Sequence, residues 1–246
     1  MFSLLFSFSI VSWAWQGTLD YSKTIPDMGS YYTYKFDKYK HFPVYVRIAI
    51  LDPDKYDASL FVQDKGNVQS LMRLSLEQKA TIAINGGYYR ENFLPNGLLI
   101  VEGKRKSRFV SNTLLAAIVL VTKDGEIKLL KKGGSYLNAK YAFQAGPILL
   151  EGEKKYAGTS TLLRQRSIVI EFKNGQIALV SMSPATMHEA ASILATLVKT
   201  QKRSVKLAVN LDGGVASSFV INFDKRPVII PERADVKMAL LFYPQK

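Results

Sequence analysis

Two segments of the chain share a design that suits the binding of a negatively charged group. Each has an apolar run of strand type, a polar residue and two glycines: Asn85-Gly86-Gly87 and Asp212-Gly213-Gly214. Paired glycines let the backbone turn with a positive φ and leave its N–H groups open to an anion. A polar residue at a strand end lies at the rim of a sheet, where ligands bind in α/β proteins. Asn and Asp also form turns, so two glycine-rich turns without a function are the alternative.

Three further places carry residues of chemical interest. Gly146 precedes Pro147 at the end of a predicted strand, and Arg166 enters a strand that is otherwise apolar. A guanidinium is costly there unless it binds an anion, although an exposed charge at a strand start would give the same pattern. Glu232 and Arg233 come just before the last strand, where a weak surface ion pair is the simplest interpretation.

The residue types that are missing exclude several kinds of chemistry. The chain has no Cys, which excludes thiol nucleophiles, disulfides and thiolate metal sites. Its two histidines, His41 and His188, are far apart in sequence, which excludes an HExxH metal site. The G-x-S-x-G, Walker and Rossmann fingerprints are absent. The sequence therefore indicates no cofactor; a divalent cation held through Asp212 stays open, without any spacing that supports it.

The charge balance points to an anionic partner. The 246 residues include 33 Lys and Arg against 20 Asp and Glu, a formal charge of +13. Nucleic acid, an anionic envelope and a phosphorylated ligand all fit that charge. The basic clusters are spread between predicted strands and mixed with acidic residues, and no nucleic-acid-binding motif is present. This pattern favours a solvated basic surface over a groove for nucleic acid.

The first residues resemble a targeting segment. Residues 2–15 are apolar apart from serines, and the run is shorter than the roughly 20 residues that a membrane-spanning helix needs. Ser12 and Ala14 stand at the −3 and −1 positions of a small-x-small cleavage site. We therefore predict a signal peptide over residues 1–14 and a periplasmic or extracellular location, with an uncleaved anchor or an apolar N-terminal strand as the alternative.

The rest of the pattern is mostly β. Aromatic and β-branched runs alternate with turn signals, and Asn174-Gly175 and Lys123-Asp124-Gly125 are typical of hairpin turns. A polar, turn-prone stretch at 15–30 is interpreted as a linker, and residues 31–246 as one α+β domain. We expect a large mixed, mostly antiparallel sheet with one long and one or more short helices packed on it.

Two helices are predicted from apolar spacing and capping residues. Ser70 suits the cap of a short helix over residues 70–80. The long helix is predicted over residues 184–201, with Ser183 as its cap and Pro184 in its first position.

Motifs in one order along the chain carry a resemblance to a known family. They are N-G-G-Y-Y at 85–89, G-P-I-L at 146–149, the arginine at 166, N-L-D-G-G at 210–214 and P-E-R at 231–233. Together they resemble the phosphodiester glycosidase family, whose bacterial members include exopolysaccharide-biosynthesis-like proteins. The resemblance covers residues 80–245, and N-L-D-G-G is its most specific part.

The resemblance implies hydrolysis of a sugar-1-phosphodiester, with a phosphorylated sugar or glycan as the partner. A phosphate leaving group is already a stable anion, so charge stabilisation matters more than a second carboxylate. The family pattern then implies Asp212 as base or nucleophile, Arg166 as a phosphate clamp and Asn85 as a hydrogen-bond partner of the substrate. The expected substrate-binding residues are the loop glycines with Ser217 and Arg233: Gly86, Gly87, Gly146, Gly213, Gly214, Ser217, Arg233. Tyr88 or Tyr89 could stack on a sugar ring, and burial of these rings in the core is the alternative.

One departure from the family pattern keeps a second function open. The family usually continues D-G-G-G-S-S, whereas Val215-Ala216 follow Gly214 in this chain. The hydroxyl expected at position 216 is missing, and Ser217 is the nearest substitute. A non-catalytic protein that binds an anionic glycan or the cell envelope is therefore the alternative to a hydrolase.

Overall fold

A computed structural model of the chain describes residues 14–38, 40–156, 158, 160–223 and 226–245. The predicted signal peptide therefore lies outside the described residues, except for Ala14. Among the described residues, no helix is both long and apolar enough to cross a membrane.

Strands dominate the described part of the chain, which contains only two α-helices. The helices are α1 (Leu71–Glu77) and α2 (Met187–Thr200). The strands of the described residues are β1 (Gln16–Ile25), β2 (Gly29–Asp37), β3 (Val44–Leu51), β4 (Tyr56–Val62), β5 (Ile82–Asn85), β6 (Leu99–Val101), β7 (Lys104–Ser107), β8 (Ala117–Val121), β9 (Ile127–Lys131), β10 (Tyr141–Ala145), β11 (Ile148–Glu151), β12 (Lys154–Lys155), β13 (Arg164–Phe172), β14 (Ile177–Ala185), β15 (Val205–Asn210), β16 (Phe219–Ile221), β17 (Val228–Ile230) and β18 (Met238–Pro244).

The described strands form three sheets. The mostly antiparallel pairing that the sequence predicted is confirmed, but the prediction of one large mixed sheet is wrong. The large sheet has the order β1-β2-β3-β14-β13-β15-β11-β12, the second sheet β17-β16-β5-β18-β4, and the third sheet β7-β6-β10-β8-β9. Every pairing between these strands is antiparallel. An apolar run indicates a strand that is covered on both faces, but it does not say which strands pair with it. That is why the prediction merged three sheets into one.

The large sheet separates two apolar layers. Val169 points from β13 into a central core that the second and third sheets share, where it joins Ile84 of β5 and Val119 of β8. Its neighbours Ile168 and Ile170 point to the opposite face, against α2. This alternation follows from the two-residue period of a strand. The long helix therefore covers the outside of the large sheet, as α1 covers the outside of the second sheet.

Local turn and cap signals predicted several elements correctly. Asn174-Gly175 joins the paired strands β13 and β14, and Lys123-Asp124-Gly125 joins β8 and β9. The short helix α1 begins at Leu71, and the side chain of Ser70 accepts a hydrogen bond from the Arg73 N–H. These features depend on a few adjacent residues, which is why sequence suffices to find them.

The start of the long helix was predicted wrongly. Pro184 lies in β14, which continues to Ala185 because that residue pairs with Arg164 of β13. The helix begins at Met187 with Thr186 as its cap, and Thr186 and Glu189 form a reciprocal capping box. The cap predicted at Ser183 is therefore wrong: its hydroxyl instead accepts a hydrogen bond from the Tyr45 N–H.

The stretch predicted as a linker at residues 15–30 is a strand with the start of a second. The hairpin of β1 and β2 places β1 at the edge of the large sheet. Nine of the ten residues of β1 are exposed, so the strand carries no alternation of apolar and polar residues. β1 is a strand because its backbone pairs with β2, and a pattern of residue types does not indicate which backbones pair.

Candidate functional site

The two Gly-Gly loops come from different sheets and meet through backbone and side-chain hydrogen bonds. Asn85 ends β5 of the second sheet, and Asp212 follows β15 of the large sheet. The Asp212 N–H donates to the Gly86 carbonyl at 3.0 Å. The Asn85 side-chain amide donates to the Asp212 carbonyl at 2.6 Å. The structure thus brings together two segments that are about 125 residues apart.

The side-chain oxygen of Asn85 is the centre of a buried network. Asn85 is only 2% exposed, and its Oδ1 accepts hydrogen bonds from the Ser167 hydroxyl at 2.6 Å and the Ser218 N–H at 2.9 Å. The Ser167 and Ser217 hydroxyls lie 2.6 Å apart. Since the amide binds protein groups on both sides, Asn85 holds the Asp212 loop in place. Sequence reasoning missed Ser167, although it directly follows Arg166.

Glu232 extends this network to α1. Its carboxylate accepts hydrogen bonds from the Ser218 hydroxyl at 2.6 Å and from the Leu71 N–H at 2.9 Å. The interpretation of Glu232 and Arg233 as a surface ion pair was therefore wrong, because the Glu232 carboxylate faces the interior. Arg233 is exposed, and its backbone N–H donates to the Val215 carbonyl at 2.7 Å.

Arg166 is a buried cation without a carboxylate partner among the described residues. Its side chain is 4% exposed, and the structure has no Asp or Glu oxygen within 4.0 Å of it in the described part of the chain. Nε donates to the Ala185 carbonyl and Nη2 to the Leu162 carbonyl, both at 2.8 Å. Burial lowers the pKa of this guanidinium. Two carbonyls therefore fix its orientation, and among the described residues the negative charge of Glu189 acts on it only from beyond 4.0 Å.

Two cavities meet at Asp212. The first, of about 450 Å³, is lined by Arg166, Arg164, Tyr88 and Met187 with Asp212, and we call it the Arg166 cavity. The second, of about 180 Å³, is lined by a different set around Asp212: Asn85, Gly86, Gly87, Tyr89, Ala216, Asp235 and Lys237. We call it the Lys237 cavity. Asp212, Gly213 and Val215 line both cavities, so the loop after β15 stands at the boundary between them.

The Asp212 carboxyl titrates close to neutral pH. Burial raises its pKa to about 6, against the opposing effects of a hydrogen bond from the Gly213 N–H and the charge of Lys237. A carboxyl with this pKa is present in both protonation states near neutrality, which suits proton transfer. The described residues contain no group of three or more His, Asp or Glu side chains arranged to hold a metal ion.

Sequence comparison assigns these loops to a family. A profile of the phosphodiester glycosidase family matches residues 78–243. The chain belongs to the phosphodiester glycosidase family. This makes it a hydrolase of the phosphodiester glycosidase type, and the match includes both Gly-Gly loops and Arg166. A comparison with curated proteins gave no match.

Solved structures with the same fold share little sequence with this hydrolase. A hypothetical protein from Synechocystis matches with a TM-score of 0.59 and 15% identity, over 90% of this chain and 63% of that one. The zebrafish N-acetylglucosamine-1-phosphodiester alpha-N-acetylglucosaminidase catalytic domain, auto-inhibited by pro-peptide, matches with a TM-score of 0.56 and 16% identity, over 94% and 83%. A candidate exported protein from Burkholderia pseudomallei matches with a TM-score of 0.59 and 14% identity, over 82% and 74%.

Tyr88 of this phosphodiester glycosidase is held by its hydroxyl. The hydroxyl donates to the Gly146 carbonyl at 2.7 Å and accepts from the Asn210 side chain at 2.8 Å. Burial and the nearby Asp212 raise the pKa of Tyr88 well above its ordinary value. Asn210 is fully buried, and its Oδ1 has no hydrogen-bond partner among the described residues. Sequence reasoning missed Asn210, although it begins the N-L-D-G-G motif.

Several of the glycines expected to approach the substrate leave no room for a side chain. A side chain on Gly87 would meet the Phe143 ring at 2.7 Å, and one on Gly146 would meet the Leu114 carbonyl at 1.9 Å. These glycines are required by contacts within the protein. Gly213 and Gly214 line the Arg166 cavity, and Gly214 has a φ of +69°.

Three residues predicted to bind substrate lie away from both cavity walls. Gly146, Ser217 and Arg233 line neither the Arg166 cavity nor the Lys237 cavity in the described structure. Ser217 is 1% exposed, and its hydroxyl is bonded to Ser167. Ser217 therefore supports the loop from inside, and the cavity wall at position 216 carries the methyl group of an alanine.

Replacement of Asp212 by Asn is expected to stabilise the folded protein at high pH. The pKa of about 6 in the fold lies above the ordinary 3.8, so ionisation of this carboxyl destabilises the fold. That cost is absent below about pH 4, grows up to about pH 6 and is complete above it. We expect Asp212→Asn to raise the free energy of unfolding by about 1–3 kcal/mol at pH 8 and to leave it unchanged at pH 4. Urea unfolding at the two pH values measures both.

Asp235→Asn is the matched control, because Asp235 is an exposed carboxylate that lines the same Lys237 cavity. This variant removes the negative charge of an exposed carboxylate and leaves the buried carboxylate of Asp212 in place. Equal stabilisation by the two variants, or a loss of stability in Asp212→Asn at pH 8, would contradict the burial of the Asp212 carboxylate.

Proposed function

We propose that this hydrolase cleaves the bond between the anomeric carbon and the phosphate oxygen of a sugar-1-phosphodiester, with Asp212 as base or nucleophile. The observation that carries the proposal is the position of Asp212, which lines both cavities and shares one of them with the buried cation of Arg166. Family membership supports the reaction type. The two cavities give room for the sugar on one side of the carboxylate and the phosphate on the other.

The charge of the Arg166 cavity suits a phosphate group. Two arginines, Arg164 and Arg166, line it, and Asp212 is the one acidic residue among the described residues of its wall. A phosphate dianion or diester gains strong charge-assisted hydrogen bonds from a guanidinium whose orientation is already fixed. Since the phosphate leaves as a stable anion, the reaction needs no second carboxylate to protonate it.

Asp212 completes the reaction in one of two ways. As a nucleophile, its carboxylate attacks the anomeric carbon, the carbon–oxygen bond breaks, and the electron pair leaves on the phosphate oxygen. Water then hydrolyses the glycosyl ester. As a base, Asp212 takes a proton from a water molecule that attacks the same carbon. Both routes yield the free sugar and a phosphate monoester, and both require the carboxylate form.

Asp212→Asn is expected to lower kcat on a p-nitrophenyl phosphodiester of a hexose by about 10²- to 10⁴-fold. In the native protein, kcat/KM is expected to fall about tenfold per pH unit below about pH 6, because only the ionised carboxylate reacts. Release of free sugar measures both. Asp64→Asn, a change at an exposed carboxylate that lines neither cavity, is expected to keep the native rate and pH profile. Release of sugar by Asp212→Asn at the native rate would refute the role of Asp212.

Arg166→Lys is expected to weaken the binding of a hexose 1-phosphate inhibitor about tenfold, since lysine keeps the charge but loses the planar pair of donors. Arg164→Lys makes the same change at an exposed arginine of the same cavity. We expect a change of about threefold or less there. Inhibition constants and a thermal melt of each variant provide the measurement. Equal effects of the two variants, or unchanged binding in Arg166→Lys, would refute the proposed role of Arg166 in binding the phosphate.

We also propose that the protein is exported and that residues 1–14 are its signal peptide. The apolar run at 2–15 and the small residues Ser12 and Ala14 support this, as does the likeness to a candidate exported protein. Cleavage after Ala14 would keep Trp15, which is 7% exposed and packs with the α2 layer. N-terminal sequencing of protein from a bacterial periplasmic fraction is expected to begin at Trp15 or Gln16. Full-length protein confined to the cytoplasm would refute export.

A further inference from the structure

A long groove runs along the exposed side of α2 and shares no lining residue with the two cavities at Asp212. Its middle part, of about 330 Å³, is lined by Trp15, Lys38, Lys155 and Ser192. Its far part, of about 610 Å³, is lined by Lys173, Lys202 and Arg203. Ala195 and Lys199 line both parts, so the two are continuous. We call the whole the α2 groove.

The α2 groove is strongly basic. Its lining has six lysines and arginines, namely Lys38, Lys155, Lys173, Lys199, Lys202 and Arg203, against the two acids Glu153 and Glu189. None of the six has a carboxylate oxygen within 4.0 Å among the residues that the structure describes. Glu189 is already bonded to the helix cap and lies 3.4 Å from His41. Lysines in a concave wall concentrate a positive field and attract an anionic chain.

One end of the α2 groove lies next to the Arg166 cavity. Tyr156 and Met187 line the Arg166 cavity, and their chain neighbours Lys155 and His188 line the groove. From Met187 to Thr200 the axis of α2 advances about 20 Å at about 1.5 Å per residue. A track of that length, one end of which lies next to the Arg166 cavity, has room for several sugar-phosphate units in a row.

The walls of the groove combine charge with apolar surface. Leu150, Ala195 and Val198 line it together with the lysines, and Trp15 lies in the middle part. Sugar rings pack on apolar and aromatic surface, while phosphates pair with cations. A flat lipid surface does not reach the floor of a groove between α2 and β11–β12. The lining therefore fits a flexible chain in which sugars and phosphates alternate.

We propose that the α2 groove binds the continuing chain of a polymeric substrate, a phosphodiester-linked glycan whose terminal unit is cleaved at Asp212. This inference rests on the proposed function, since it names the substrate class of the same site. The lysines of the groove bind successive phosphates of the uncleaved chain. They raise the affinity for the polymer and leave the chemistry at Asp212 unchanged.

The test compares two triple variants of the full chain that change the net charge equally. The groove variant carries Lys173→Glu, Lys199→Glu and Lys202→Glu. The control variant carries Lys104→Glu, Arg105→Glu and Lys106→Glu on β7, an exposed strand of the third sheet. The probe is a fluorescently labelled polymer of hexose-1-phosphate repeats, bound in an Asp212→Asn background and measured by anisotropy at low and physiological salt. Thermal melts check folding, and the matching Lys→Gln triple serves if a Glu at Lys199 unfolds the end of α2.

We expect the groove variant to bind the polymer about tenfold more weakly or worse, and the control variant to stay within about twofold, with both differences shrinking as salt increases. With Asp212 restored, both variants are expected to hydrolyse the p-nitrophenyl phosphodiester at the native rate. The polymer's KM is expected to rise only in the groove variant.

Three outcomes would overturn the proposal: equal losses in the two triples, equal binding of uncharged dextran, or tighter groove-dependent binding to phosphatidylglycerol vesicles than to the polymer. Failure of the native protein to hydrolyse the small phosphodiester refutes the proposed function instead, because polymer binding is measured without turnover.

Discussion

The hydrogen bonds of the buried Asn85 amide tie the loop after β5, in one sheet, to the loop after β15, in another. Its Nδ2 fixes the carbonyl of Asp212, and its Oδ1 accepts from Ser167 and from the Ser218 N–H. An amide oxygen left unpaired at this depth would cost about 1–3 kcal/mol, so the four segments hold one another in place. The position of the Asp212 loop depends on this junction, and both cavities are lined by residues of that loop.

Two opposite charges are kept out of water beside the junction. Burial raises the pKa of Asp212 and lowers that of Arg166, so each group is less stable in its charged form than it would be in solvent. Charged groups buried in this way are common at catalytic sites. There the stability of the rest of the fold compensates for the local cost of burying a charge. The lysines along α2 differ from these two buried groups, because they are exposed to solvent and act on an anion at longer range.

Local signals in the sequence predicted the hairpin turns, the cap of α1 and the existence of the long helix. Each depends on a few neighbouring residues whose backbone preferences decide the outcome. The division into three sheets and the β1 strand escaped prediction, because pairing partners far apart in the chain decide them. The predicted start of α2 was wrong for the same reason. Because Ala185 pairs with β13, the strand β14 extends over Pro184, the residue that had suggested the first turn of a helix.

The sequence by itself determined the chemical inventory: no thiol, two histidines, and Asn, Asp and Arg beside glycine loops in an order that resembles one family. Only the tertiary structure decided what each residue contacts. It turned Glu232 and Ser217 inward, required Gly87 and Gly146 for internal packing, and placed Asp212 between two cavities. The physical reason is that hydrogen bonds and burial depend on distances between segments, which residue types and spacing along the chain do not specify. The same holds for the α2 groove, whose lysines are scattered in sequence and gathered by the packing of α2 on the large sheet.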